Sequence, residues 1–92
     1  MTATLQRDRD EELRRDMRDT LNALIGEQVI HTLGTPGDLL KVQVRGVGSD
    51  RYRVNVFVGK DATSGRVADS FFLTADGEGN ILKSSPEIVR VY

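Results

Sequence analysis

Asp76, Glu78 and Asn80 alternate in the stretch "ADGEGNIL", and Glu87 follows Asp76 by eleven residues. Oxygen-bearing side chains at positions 1, 3, 5 and 12 of a loop are the ligand set of an EF-hand calcium site, which also needs glycine at position 6. Here position 6 is Ile81, position 11 is Pro86, and the flanks "FFLT" and "EIVRVY" read as strands where helices are required. The same residues make a turn without any metal, because "DGEGN" between two apolar runs is built from types that tolerate positive φ or cap a turn. The expectation is a hairpin loop, with no metal and no other cofactor.

The remaining chemical candidates are weaker. "GVGSDR" follows a strand-like run but has Arg51 where a dinucleotide fingerprint needs its last glycine, and "GKD" lacks the upstream glycine and hydroxyl residue of a phosphate loop. The absence of cysteine excludes disulfides, thiolate zinc sites and thiol nucleophiles. His31 is the single histidine and falls in a last helical turn, where a cation interacts favourably with the helix dipole. A general base also needs a nucleophile and an orienting partner, and none is evident, so the chain reads as non-enzymatic. Asp69 shares strand parity with Val67, Phe71 and Leu73, and a carboxylate on an apolar face is costly unless paired or wet. Either a bulge or edge position turns it to water, or it stands at the mouth of a pocket between helix and sheet, with Tyr52 and His31 as further polar groups.

The elements that must position these residues divide near Gly34. Every glycine but Gly26, and every valine but Val29, lies from there onward. Before it, Leu13, Met17, Leu21, Leu24, Gln28 and Leu33 follow a helical period, thickened by Ile25 and Val29. Asp8 and Glu11 have the spacing of a capping box, and Gly34 with Pro36 forms a stop signal, so the spacing predicts a helix over 9–32. Its first half is nearly all charged, with Asp10–Arg14 and Glu11–Arg15 in the favourable order, each worth only about 0.2–0.5 kcal/mol. The second half carries the apolar stripe and should pack on the core while the first turns project. Gly26 costs about 1 kcal/mol relative to alanine in a helix interior, and a close approach of helix to sheet would explain it.

Beyond Gly34 the chain reads as an antiparallel meander with strands at 39–46, 51–58, 66–74, 80–84 and 87–91. Leu40, Val42 and Val44 alternate with Lys41, Gln43 and Arg45; Tyr52, Val54, Val56 and Val58 alternate with Arg51, Arg53, Asn55 and Phe57. The fold class is α+β: one domain, with a long N-terminal helix on one face of a four- to five-stranded sheet. This helix-over-meander architecture is similar to cystatin-like folds. Their inhibitors carry Q-x-V-x-G in the first hairpin; "VQVRG" has Val42 where that glutamine would stand, and the chain has no tryptophan for the second hairpin. Protease inhibition is therefore not implied.

The polar face of the meander carries the interface candidates Phe57, Phe72, Arg45 and Arg53. Pairing of Val58 with Val67 would put Phe72 beside Arg53, and a tight turn at 76–80 would add Leu82. Apolar groups rimmed by arginine suit a protein partner or a homodimer. A small-ligand pocket is the alternative reading, and single-stranded nucleic acid on the basic face is the least favoured. A net charge of −1 supplies no global field for nucleic acid or acidic membranes. No apolar run approaches the roughly 20 residues of a membrane span, and the N-terminal segment lacks the apolar centre of a signal peptide. The expected setting is the cytoplasm, with no membrane partner.

Overall fold

The computed structural model describes residues 2–92, with side chains from Arg9 onward. Helix α1 (Thr2–Leu33) is followed by β1 (Leu39–Gly46), β2 (Arg51–Val58), β3 (Arg66–Ala75) and β4 (Ile81–Ser85). The strands form one antiparallel sheet in the order β1-β2-β3-β4, so every connection is a hairpin. The helix covers one face and leaves the other open, as the α+β reading expected.

The buried core is the alternate residues of the central strands, Tyr52, Val54, Val56, Val58, Phe71, Leu73 and Ala75, under Ile25, Val29 and Leu33 of the helix. Those helical residues recur every four positions and are almost fully removed from water. Burying an aliphatic side chain of this size contributes about 1.5–3 kcal/mol, which outweighs the propensity cost of the β-branched Ile25 and Val29. Leu21, Ile30, Val42 and Val44 pack around this centre. Gly26 is buried against β1: a methyl placed on it would lie 3.5 Å from Val44 and 3.6 Å from Val42. The helix therefore does approach the sheet closely here, at a spacing that still admits a methyl group.

The first half of the helix leaves the sheet behind. All side chains from Arg9 to Thr20 are exposed, Leu13 and Met17 included. A 32-residue helix is about 48 Å long at 1.5 Å per residue, close to the longest dimension of the molecule, 52 Å. The radius of gyration, 15.6 Å, exceeds the roughly 12 Å of a compact domain of this length because of this arm. The helix also starts at Thr2, ahead of the residue expected to cap it, and the Asp8 side chain of the expected capping box lies outside the described residues.

Its other end is closed with more care. Gly34, at φ +91°, donates its N–H to the Ile30 carbonyl at 2.8 Å. The amides of Val91 and Tyr92 then both donate to the Leu33 carbonyl, at 2.8 and 3.1 Å. This corrects the expected strand at 87–91. After Pro86 the chain makes no ladder; it crosses to the end of the helix and satisfies a carbonyl there, with Ile88 resting on the core.

Each hairpin also carries one register shift, and these shifts relocate side chains. A shift between Leu39 and Lys41 puts Leu39, not Leu40, with the core. A shift at Ala68 pairs Phe57 with Val67 and Val58 with Arg66, so Val67 leaves the side of Asp69 and faces outward. The third lies between Ala75–Ile81 and Thr74–Lys83, with Leu82 in the bulge.

Two glycines therefore respond oppositely to the same change. Gly26→Ala should raise stability by up to about 1 kcal/mol, since it gains helix propensity in available space. Gly34→Ala should lower it by more than about 1 kcal/mol, because its conformation is left-handed and the added methyl meets the Tyr92 carbonyl. Denaturant midpoints of both variants beside the parent check the pair, and destabilisation by Gly26→Ala would contradict the packing described.

Candidate protein-docking face

The open face is built from three rungs of the antiparallel ladder. Arg45, Arg53 and Phe72 stand in one rung, with Ser85 beyond; Gln43, Asn55 and Ser70 in the next; Lys41, Phe57 and Val67 in the third. The two aromatic rungs are four residues apart along β2, about 14 Å at strand rise. The Arg53 guanidinium lies 5.3 Å from the centre of the Phe72 ring, and the Lys41 ammonium 5.0 Å from that of Phe57. The Ser70 hydroxyl donates to Asn55 Oδ1 at 2.7 Å, which closes the polar rung between them. The β1 bulge brings Leu40 beside Phe57, where both line a small cleft with Lys41 and Gly65.

Charge is segregated on this face. Lys41, Arg45, Arg51, Arg53 and Lys83 project from it, and the strands contribute no carboxylate to it. The whole chain holds 13 Lys and Arg against 14 Asp and Glu; with eight cations left against those 14, the remainder carries −6. Phe72, 55% exposed, borders a concavity of about 370 Å³ flanked by Arg51, Lys83 and Val47. Exposed cation–ring pairs are worth only about 0.5–1 kcal/mol, so stability does not explain the Phe72 ring left in water among cations.

Of the interface candidates, Phe57, Phe72, Arg45 and Arg53 share this face. Leu82 does not join them: its bulge leaves it on the outer edge, lining a cleft with Gln28 and Thr32 of the helix and with Ile88. Lys83 and Val67 belong to the face but depend on bulges that the residue pattern does not announce.

The three pocket candidates are dispersed. Tyr52 is buried in the core between Gly46 and Leu73. His31 is exposed beside a separate groove lined by Ala23, Gly26, Ile30 and Val42. Asp69 lies opposite Val56, next to the β3 bulge, and accepts a hydrogen bond from the Tyr92 hydroxyl at 2.8 Å. That bond explains a carboxylate on the apolar parity: the chain segment that closes the helix end also supplies its partner.

The alternating oxygens of the 76–80 turn are used internally. Asp76 Oδ1 accepts the amides of Glu78 and Asn80, each at 2.9 Å, and Oδ2 accepts the Asn80 side-chain amide at 3.0 Å. Those bonds, the Asn80 side chain first, hold the Asp76 carboxyl below its ordinary value, against desolvation that opposes them. Gly79, at φ +84°, packs against Leu24, and Gln28 accepts the Ile81 amide at 2.8 Å. The turn is thus docked on the helix, with Glu87 separated from it by β4. In the 59–65 loop Asp61 plays the same part, held low by the Thr63 hydroxyl and then by the amide and hydroxyl of Ser64.

Among the described residues no helix is long and apolar enough to cross a membrane. Comparison with protein-family models, curated proteins and solved structures gives no match for this chain.

Two titrations follow from these contacts. A carboxylate depressed in the folded state stabilises it above the unfolded value of about 3.9 and loses that contribution as pH falls through the folded value. Asp76→Ala should therefore destabilise at pH 7, and its gap from the parent should close under acid unfolding; a gap independent of pH would refute the turn's role. The Tyr92 phenol is raised, first by its bond to Asp69, so this contact is fully present below about pH 10 and is lost as pH rises through the folded value. Asp69→Asn should bring Tyr92 back toward the ordinary tyrosine range in a phenolate absorbance titration.

Proposed function

We propose that this chain is a non-catalytic protein-interaction domain whose open sheet face docks an acidic surface of another protein. The observation that carries the reading is the exposed Phe72 and the half-buried Phe57 set among five cations with no strand carboxylate between them. A partner that brings carboxylates meets guanidinium and ammonium groups already positioned over the rings, and its apolar side chains meet the concavity beside Phe72. Arginine and aromatic anchors are the residue types that dominate binding energy at such surfaces.

Self-association through this face is disfavoured. A two-fold contact presents the same patch on both sides, so the cations of one copy would face those of the other. Nucleic acid shares the attraction of the cations, but base stacking needs a free ring surface, and here Lys41 and Arg53 already occupy one side of each ring.

A photo-crosslinking residue at position 72, in the full chain within its own cells, tests the proposal. The expected adduct is a protein whose crosslinked peptide is acidic, and Arg53→Glu should reduce its yield on the order of tenfold, the effect of about 1.4 kcal/mol. A nuclease-sensitive adduct would transfer the reading to nucleic acid, and adducts with further copies of the chain alone would overturn it. Phe72→Ser should keep the parent's fold, because the ring it removes is largely in water.

A further inference from the structure

The outer edge of the sheet points to a second mode of contact. The Val47 amide donates to the Arg51 carbonyl at 2.9 Å, next to the Gly46–Tyr52 pair. Hydrogen bonding alternates along an antiparallel ladder, so Lys41, Gln43 and Arg45 turn their backbone groups toward β2. Val42 and Val44 turn theirs away from the sheet. No backbone hydrogen bond from another segment reaches them among the described residues. Beyond the bulge at Leu40, the regular stretch of β1 from Lys41 to Gly46 is thus an edge with unpaired donors and acceptors at Val42 and Val44.

What flanks this edge differs on its two sides. On the open side stand Lys41 and Arg45, both exposed. On the helix side, an open groove of about 550 Å³ runs beside Val42; Ala23, Gly26 and Ile30 line its apolar part, and the polar Asn22, Glu27, His31 and Thr35 border it. The opposite edge offers nothing comparable: β4 has five residues, a bulge at Leu82, and Pro86 immediately after it.

We infer that β1 accepts an extended segment of a partner protein as an additional antiparallel strand, with apolar and acidic residues alternating along it. Apolar side chains of that strand would enter the groove beside Val42 and Gly26, and acidic ones would lie beside Lys41 and Arg45. Glu27 on the groove side repels the reversed arrangement. Main-chain bonds supply affinity in such strand addition, and the alternating side chains supply specificity. A second copy of β1 does not fit: pairing centred on Gln43 sets Lys41 directly against Arg45, and like charges across a ladder are destabilising. This inference rests on the reading of the chain as a protein-binding domain, but uses the sheet edge, which that reading does not require.

The test is a titration of the isotopically labelled full chain with a short synthetic peptide alternating glutamate and valine, followed by amide NMR and hydrogen exchange. The expected result is shifts at Val42 and Val44, with exchange of those two amides slowed at least tenfold. A peptide alternating lysine and valine, and a glutamate–valine peptide N-methylated on its edge-facing amides, should each bind at least tenfold more weakly. Ala23→Leu, on the exposed helix wall of the groove, should weaken binding, and Lys41→Glu does so without touching the core. Shifts confined to Arg53 and Phe72, with exchange at Val42 unchanged, would overturn strand addition while leaving the open-face reading intact. Equal binding of glutamate and lysine peptides, stronger competition by a single-stranded oligonucleotide at the same amides, or no shift at all would also overturn it. The crosslinking experiment at position 72 judges the open-face reading independently.

Discussion

Ile25, Val29 and Leu33 lie on the valine-rich face of β2 and β3, and the position of every other part follows from that contact. The helix can reach the sheet because Gly26 presents only backbone to Val42 and Val44. With the helix seated, Gln28 is placed to accept the Ile81 amide and Leu24 to meet Gly79, so the last hairpin is fixed from above. The Leu33 carbonyl, left over at the helix end, draws in Val91 and Tyr92. One packed stripe thus organises the sheet, its final turn and the closing segment, and commits the helix-side face of β2 to the interior.

The other face is free to differ, and it differs in charge more than in hydrophobicity. A chain with a net charge of −1 sets five cations on one surface while its carboxylates lie on the helix, in the loops and on the opposite side. Two of those carboxylates, Asp61 and Asp76, are consumed in tying loops together. Loop acids hold the hairpins and strand cations face outward, so the separation needs no specialised element beyond strand alternation.

Strand alternation is also what makes the fold legible in the sequence. The runs 40–45 and 51–58 have unbroken period two, and β2, which has neighbours on both sides, matches its expected pattern at every position. Legibility fails wherever a bulge intervenes. Leu40, Val67 and Leu82 each occupy or adjoin a register shift, and each lies away from its expected side. A single extra residue inverts parity downstream, and its place is decided by cross-strand contacts that periodicity does not encode. The missing fifth strand has a similar cause: "IVRVY" has strand composition, but the competing acceptor is a helical carbonyl far away in sequence. Phe72, Phe57, Arg45 and Arg53 were readable as one surface because they lie between bulges. Lys83 lies beyond one.

The exposed half of the helix has a kinetic consequence. An isolated helix must first form a costly nucleus, and only then adds residues at nearly neutral free energy. Here the packed turns from Leu21 to Leu33 are a permanent nucleus, held by the core. The segment from Arg9 to Thr20 therefore elongates from a template, with each turn added or lost near equilibrium and without disturbing the sheet. The boundary between helix and coil can move along the arm in response to salt, temperature or a bound surface. One continuous element is thus divided energetically in two: a stem held by the core, and an arm from Arg9 to Thr20 held by local interactions alone.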